Sequence, residues 1–254
     1  MTVLDEIVAR KRAEVSQKKT RVPKFELKEL PPTRDFKSAL KGNDISLIAE
    51  IKKFSPSKKV MRVSFDPGQI AKSYERDGAA AISVLTDEKF FGGQDEHIST
   101  VREEVRLPIL RKEFIVDEYQ IYESRVLGAD AILLIASILE RAQVSSWLAL
   151  AEELGLSCLV EVHTEGDLEK VLNTRVQIIG LNNRDLATLE VDVTTSFRLK
   201  GLIPPGIITV SESGIRRRED IVRLGEAGFD AVLIGESLMS SPDIGLKLRE
   251  LLGR

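Results

Sequence analysis

The sequence predicts a single closed (β/α)8 barrel, an α/β fold, with a helical extension at its N-terminus. Three observations lead there. A pattern of helix, glycine and apolar run recurs along the chain; eight apolar runs are spaced as βα units; and no glycine-rich dinucleotide fingerprint follows the first strand, which counts against an open, doubly wound sheet.

The repeat is visible in "SYERDGAAAISVLT", "ESRVLGADAILLIA", "AEELGLSCLVEV" and "LGEAGFDAVLIG". Each places an apolar residue (Ile82, Ile132, Leu159, Val232) four positions after a glycine (Gly78, Gly128, Gly155, Gly228). A glycine that ends a helix in the left-handed conformation and leads straight into a buried strand produces this spacing. Helix starts follow suit: Asp66 is a cap with Pro67 at the first helical position, and "SILE" and "DEYQ" have capping-box spacing. Strands are expected at 46–52, 80–85, 107–112, 130–135, 157–162, 176–182, 206–212 and 230–235. Their near-continuous Val, Ile and Leu content suits parallel strands covered by helices on one side. Residues 1–45 precede the first strand, with Leu4, Ile7, Val8 and Val15 at helical spacing and a second short helix at "RDFKSAL". They are expected to pack on the barrel as an extension, leaving 46–254 as one catalytic domain.

Composition narrows the function. A net charge of -3 gives no electrostatic reason to expect nucleic acid or an anionic membrane as partner. Cys158 is the only cysteine, so no internal disulfide can form. "MTVLDEIVARKRAEVSQKK" lacks an apolar signal core, no apolar run approaches the roughly 20 residues of a membrane span, and a cytoplasmic location is the expectation. His97 and His163 have no partner at ligand spacing and carry no evident role, so no metal is expected.

The polar residues at strand ends carry the chemistry. In "LIAEIKKFSPSKK", Ile48, Glu50 and Lys52 share one face of the strand because side chains alternate. Lys112 is in phase with Leu110, Glu161 with Leu159, and Glu212 with Ile208 and Val210, while Asn182 closes the sixth strand. An unpaired charge in an apolar lumen costs several kcal/mol. Three carboxylates and two ammoniums in phase at C-terminal strand ends therefore make sense if they pair with one another and with a ligand, on the face where barrel enzymes build their sites. "SESGI" and "IGESLM" follow strands seven and eight, where barrels often hold phosphate on backbone N–H groups. A lysine-based Schiff-base aldolase, a sugar-phosphate isomerase and a catalytically silent phosphate-binding barrel remain alternatives at this point.

"IAEIKKFSPSKK", "SVLTDEKFFGG", "PILRKEFIVDEYQI", "LVEVHTEGDLE", "IIGLNNRDLATLEVD", "VSESGI" and "AVLIGESLM" resemble the signature segments of the indole-3-glycerol phosphate synthase family, in order and over essentially the whole chain. The resemblance implies a cofactor-free barrel. The implied reaction converts 1-(2-carboxyphenylamino)-1-deoxyribulose 5-phosphate, a small phosphorylated substrate, into indole-3-glycerol phosphate, CO2 and water. It implies Lys112 as general acid on the ribulose carbonyl, Glu161 as a catalytic carboxylate, and Glu50 and Lys52 in acid–base work and anchoring. Asn182 and Ser213 join this catalytic set, and Arg184 is suited to the aromatic carboxylate. Lys52, Ser213, Gly214, Gly235 and Glu236 match the phosphate end, Glu236 through its backbone N–H. Phe91, Phe114, Leu133, Leu186 and Leu233 match apolar walls, Glu212 a substrate contact, and Ser55, Pro56 and Ser57 the loop after the first strand. A monomer or weak homodimer is expected. The chain departs from the family pattern at Lys59, where glycine is common, and at Phe54, where the residue is often small.

Overall fold

The structure, a computed structural model, describes residues 2–22, 25–27, 30–42, 44–56, 65–185 and 188–254. Strands β1 (Ser46–Ile51), β2 (Ala81–Leu85), β3 (Ile109–Lys112), β4 (Ala131–Ile135), β5 (Ser157–Val162), β6 (Ile178–Asn182), β7 (Ile208–Glu212) and β8 (Ala231–Ile234) follow one another around the sheet. They pair in parallel, and β8 returns to β1 through Ser46–Ala231 and Ile48–Leu233, closing the barrel. Helices α1 (Val3–Arg21) and α2 (Phe36–Ala39) precede β1. The crossovers carry α3 (Pro67–Asp77), α4 (Glu88–Phe91), α5 (Glu96–Glu104), α6 (Tyr119–Leu127), α7 (Arg141–Glu153), α8 (Glu165–Leu172), α9 (Thr194–Lys200) and α10 (Arg218–Glu226), and α11 (Glu236–Met239) and α12 (Ile244–Leu252) end the chain.

The alternation within each strand divides the core in two. Ile48, Leu110, Leu133, Leu159, Ile208, Val210 and Leu233 turn into the lumen, whereas Ala49, Ile51, Ile82, Ile132, Val160 and Ile179 turn outward under the helices. Phe36 and Leu40, both fully buried, join the lumen cluster from below and plug the N-terminal end. Burying those two side chains contributes about 4 kcal/mol. Six of the eight expected strands begin one or two residues early, as at Leu107 and Pro108, where apolar residues enter the core before the ladder begins, while β1 and β5 begin where expected. The four repeat glycines all adopt positive φ, at 103°, 91°, 74° and 80° for Gly78, Gly128, Gly155 and Gly228. Asp66 caps α3 as expected, but α7 starts later than "SILE" suggests, because 136–138 forms a 3-10 turn and Glu140 becomes the cap with Gln143.

Helix α1 opens with a capping box between Thr2 and Asp5 and buries Ile7, Lys11 and Val15. Lys11 is 6% exposed, which apolar periodicity alone does not foresee. Its Nζ sits 2.9 Å from Asp87 and 3.2 Å from Glu113, just past β2 and β3. Two turns further along the same face, Lys18 meets Asp95 and Glu123, and both carboxylates also bind the buried Arg111 guanidinium at 2.6 and 2.8 Å. The extension is thus tied by ion pairs to the outer side of β3, the strand whose inward residue is Lys112. Among the described residues no helix is long and apolar enough to cross a membrane.

Candidate active site

A cavity of about 580 Å3 opens at the C-terminal rim of the barrel. Its floor is ionic. Lys112 Nζ lies 2.9 Å from Glu161 Oε2 and 3.1 Å from Glu212 Oε2, and Lys52 Nζ lies 2.7 Å from Glu50 Oε1. Residues far apart in sequence meet here because β1, β3, β5 and β7 each carry an inward-facing charge at or one residue before their C-terminal end. The expected strand phase is therefore observed for Glu50, Lys112, Glu161 and Glu212, all lining the cavity with Lys52 and Asn182.

The two carboxylates beside Lys112 are pulled in opposite directions. Burial alone would raise Glu161, but the Lys112 ammonium, with His163 and a hydrogen bond from Asn182, holds its carboxyl down at about 2. Burial pushes Glu212 up to about 8; Lys112 opposes this, while Glu161 and Glu50 add to it. Glu212 is close enough to Lys112 for charge attraction, yet neither of its buried oxygens accepts a well-aligned hydrogen bond among the described residues. Lys112 itself loses hydration by burial, but Glu161, Glu212 and Glu50 outweigh that loss and raise its pKa, so its ammonium is held charged.

Two glycines make room for this floor. A Cβ on Gly180 would collide with the Glu212 carboxylate, and one on Gly235 with the Glu50 carboxylate. Gly180 is thus a site residue that the sequence reading misses; its only signal is a glycine inside an apolar strand, the mark of close approach.

At one end the cavity is apolar, with Phe91, Phe114, Leu133 and Leu233 on its wall and the Phe91 and Phe114 rings 6.0 Å apart. Beyond them a chamber of about 70 Å3 is roofed by Val3, Leu4 and Ile7 of α1, and Ser55 and Pro56 line it. At the other end Ser213, Gly214, Gly235 and Glu236 line the wall. Ser213 and Gly214 both adopt the left-handed conformation, at φ 67° and 81°. A non-glycine residue there costs on the order of 1–2 kcal/mol, strain of the kind that concentrates at functional sites. Asn183 holds this turn: its Nδ2 donates to Ser213 O at 3.0 Å and to Ser211 Oγ at 3.2 Å. Arg184 spans the two ends, donating to Leu189 O at 3.1 Å and to Glu236 Oε2 at 3.3 Å. Arg216, Ser237, Ser240 and Lys247 also line the cavity and carried no sequence signal. Of the expected site residues, Ser57 and Leu186 lie outside the described residues, as does Lys59.

Comparison with known proteins agrees with this geometry. Residues 4–251 match the family model described as indole-3-glycerol phosphate synthase. An indole-3-glycerol phosphate synthase of Dehalococcoides mccartyi strain CBDB1 is 50% identical over 98% of this chain and 100% of its own. Those of Acetivibrio thermocellus and Chlorobaculum tepidum are 47% and 46% identical over 98% and 96% of this chain, each covered over 98% of its own length. Among solved structures, a chain of the tryptophan synthase complex from Pyrococcus furiosus superposes with a TM-score of 0.61 at 18% identity, over 83% of this chain and 99% of that one, a likeness of fold. With rim, floor and full-length likeness in agreement, the chain belongs to the indole-3-glycerol phosphate synthase family.

Proposed function

We propose that the rim cavity closes an indole ring, converting 1-(2-carboxyphenylamino)-1-deoxyribulose 5-phosphate into indole-3-glycerol phosphate, CO2 and water. The observation that carries the reading is the Lys112 ammonium held between Glu161 and Glu212 in a cavity that is apolar at one end and lined by a backbone turn at the other. Phe91, Phe114, Leu133 and Leu233 hold the phenyl ring, with Ser55 and Pro56 closing over that end. The phosphate lies against Ser213, Gly214, Gly235 and the backbone of Glu236, with Lys52 nearby. Bent between these ends, the substrate brings its ring carbon toward its own carbonyl, which converts chain flexibility into a near-attack geometry.

As the ring carbon attacks, the carbonyl oxygen takes a proton from Lys112, whose raised pKa keeps it charged until the developing alkoxide can draw the proton away. The ring carbon–carboxylate bond then breaks, CO2 leaves, and its electron pair restores the aromatic ring. Dehydration follows: the hydroxyl leaves as water and a base removes the adjacent C–H proton. Glu161, ionised and partnered by Lys112, is that base; Glu50 and Lys52 form the second acid–base pair and anchor the hydroxyl chain. Arg184 takes the aromatic carboxylate on exchanging Glu236 for it, and Asn182 orients Glu161. Glu212 shares Lys112 and contacts the substrate.

A Schiff-base aldolase would need Lys112 or Lys52 as a neutral amine nucleophile, and the carboxylates around Lys112 oppose that form. The test is fluorescence-monitored appearance of indole-3-glycerol phosphate from the carboxyphenylamino substrate, with no metal or cofactor added. Product formation is expected. Its absence, together with borohydride capture of a sugar phosphate on a lysine, would transfer the chain to the aldolase reading.

A further inference from the structure

The balance of the proposed reaction requires a proton from solvent. One proton goes to the carbonyl oxygen and a second leaves with the hydroxyl as water, while one C–H proton comes off. The carboxylate departs as neutral CO2, so each turnover takes up one net proton. Yet the groups that exchange protons are sealed: the side chains of Glu161 and Glu212 are each 2% exposed, and Lys112 reaches water through the cavity that the substrate fills.

On the side of Glu161 away from Lys112 stands His163, in the turn between β5 and α8. Glu161 uses Oε2 for Lys112, and its Oε1 lies 3.5 Å from His163 Nε2. His163 does not line the cavity. Among the described residues its Nε2 is buried without a hydrogen-bond partner, an unusual state for an imidazole nitrogen, and 3.5 Å is within a small ring movement of a formed bond. The side chain is 12% exposed, and among the described residues Nδ1 makes no hydrogen bond and is not one of the buried polar atoms left without a partner. The backbone N–H of His163 is 3.4 Å from Asp167 Oδ2, at the cap of α8, which fixes the turn. One ring nitrogen thus faces the sealed carboxylate and the other faces water.

We propose that His163 is a proton-relay residue, carrying protons between solvent and Glu161 while substrate occupies the cavity. The relay rests on the ring-closing reading above. In each cycle water protonates Nδ1, Nε2 passes its proton to Glu161 Oε1, and Glu161 passes a proton from Oε2 to Lys112 as the deprotonated amine is restored to ammonium. No electrons are transferred, and the proton delivered is the one that the net reaction consumes. His163 acts through Glu161, so its role is positional and conductive and it touches no reacting atom.

The test compares wild type with His163→Gln and His163→Ala, following product fluorescence at fixed pH and ionic strength across imidazole concentrations. A relay predicts that both variants lose roughly tenfold to a hundredfold in kcat with KM little changed, and that imidazole restores the rate in both while leaving wild type unaltered. Full kcat in the glutamine variant would reduce His163 to a hydrogen-bonding support. A loss that imidazole does not relieve, in variants that melt like wild type, would make it structural. Both results overturn the relay while wild-type turnover keeps the ring-closing function intact. A wild-type chain that forms no product overturns the function and the relay together.

Discussion

Glu212→Gln should raise stability at alkaline pH while lowering turnover, because this carboxylate is the group in the site whose charge the fold tolerates least. Glu212 is buried at 1% exposure, shares one ammonium with Glu161, and faces Glu50. Folding raises its pKa from 4.5 to about 8. The folded protein therefore holds a proton that the unfolded chain has released. Stability from this group is complete below the unfolded value and is lost as pH rises through the folded one. Between pH 6 and pH 9 the loss is roughly 2–3 kcal/mol, the low end reflecting the coupling to Glu161. Glutamine does not titrate, so urea or guanidinium unfolding should show the variant's advantage growing by that amount across the interval. Other titrating groups, including the raised Glu113, are common to both proteins and cancel. Turnover should fall above about pH 8, where Glu212 is ionised and Lys112 loses one of its two carboxylate partners. Stability curves that run parallel from pH 6 to pH 9, or a gap that narrows with pH, would refute the reasoning.

Lys112→Ala should abolish turnover while binding of indole-3-glycerol phosphate, measured by titration calorimetry, stays within about tenfold, roughly 1.4 kcal/mol; wild-type-like turnover would remove Lys112 from the acid role. Gly180→Ala should push the Glu212 carboxylate off Lys112, costing about 1–3 kcal/mol in denaturant unfolding and lowering kcat more than it changes KM. Lys11→Met should strand Asp87 and Glu113 as buried carboxylates without their cation, costing about 3–5 kcal/mol and lowering Tm by roughly 10 °C. An unchanged melting curve would show that the Lys11 ion pairs contribute nothing to holding α1 on the barrel.

The barrel was legible because its rule is periodic. Alternation in β1, β3, β5 and β7 assigns Glu50, Lys112, Glu161 and Glu212 to the lumen, and helix-ending glycines mark the turns. The structure finds those four charges lining one cavity. Less legible were residues whose importance lies in three-dimensional complement. Lys11 reads as one more base on an exposed helix until Asp87 and Glu113 are seen beneath it. Arg111 and Glu113 lie in a charge-rich stretch of sequence, yet they are 1% and 3% exposed and carry the outer face of the strand that holds Lys112. Gly180 looks like a weak strand residue, and only the Glu212 carboxylate above it explains the missing side chain. His163 likewise looks idle in sequence, because the buried edge of its ring faces a carboxylate two residues away across the strand end. Ser213 gives no hint of its positive φ, which the Asn183 side chain supports from just past the end of β6.

The most direct measurement follows the charge state of one nitrogen. Selective 15N labelling of lysine side chains, with the Lys112 signal assigned by its loss in Lys112→Ala, reports whether that Nζ is ammonium or amine between pH 7 and pH 10. The account predicts an ammonium throughout, since two flanking carboxylates raise its pKa. A signal that converts to the neutral amine below pH 9 would mean that the lysine is a poised nucleophile, and the paired-carboxylate acid at the heart of the site would be wrong.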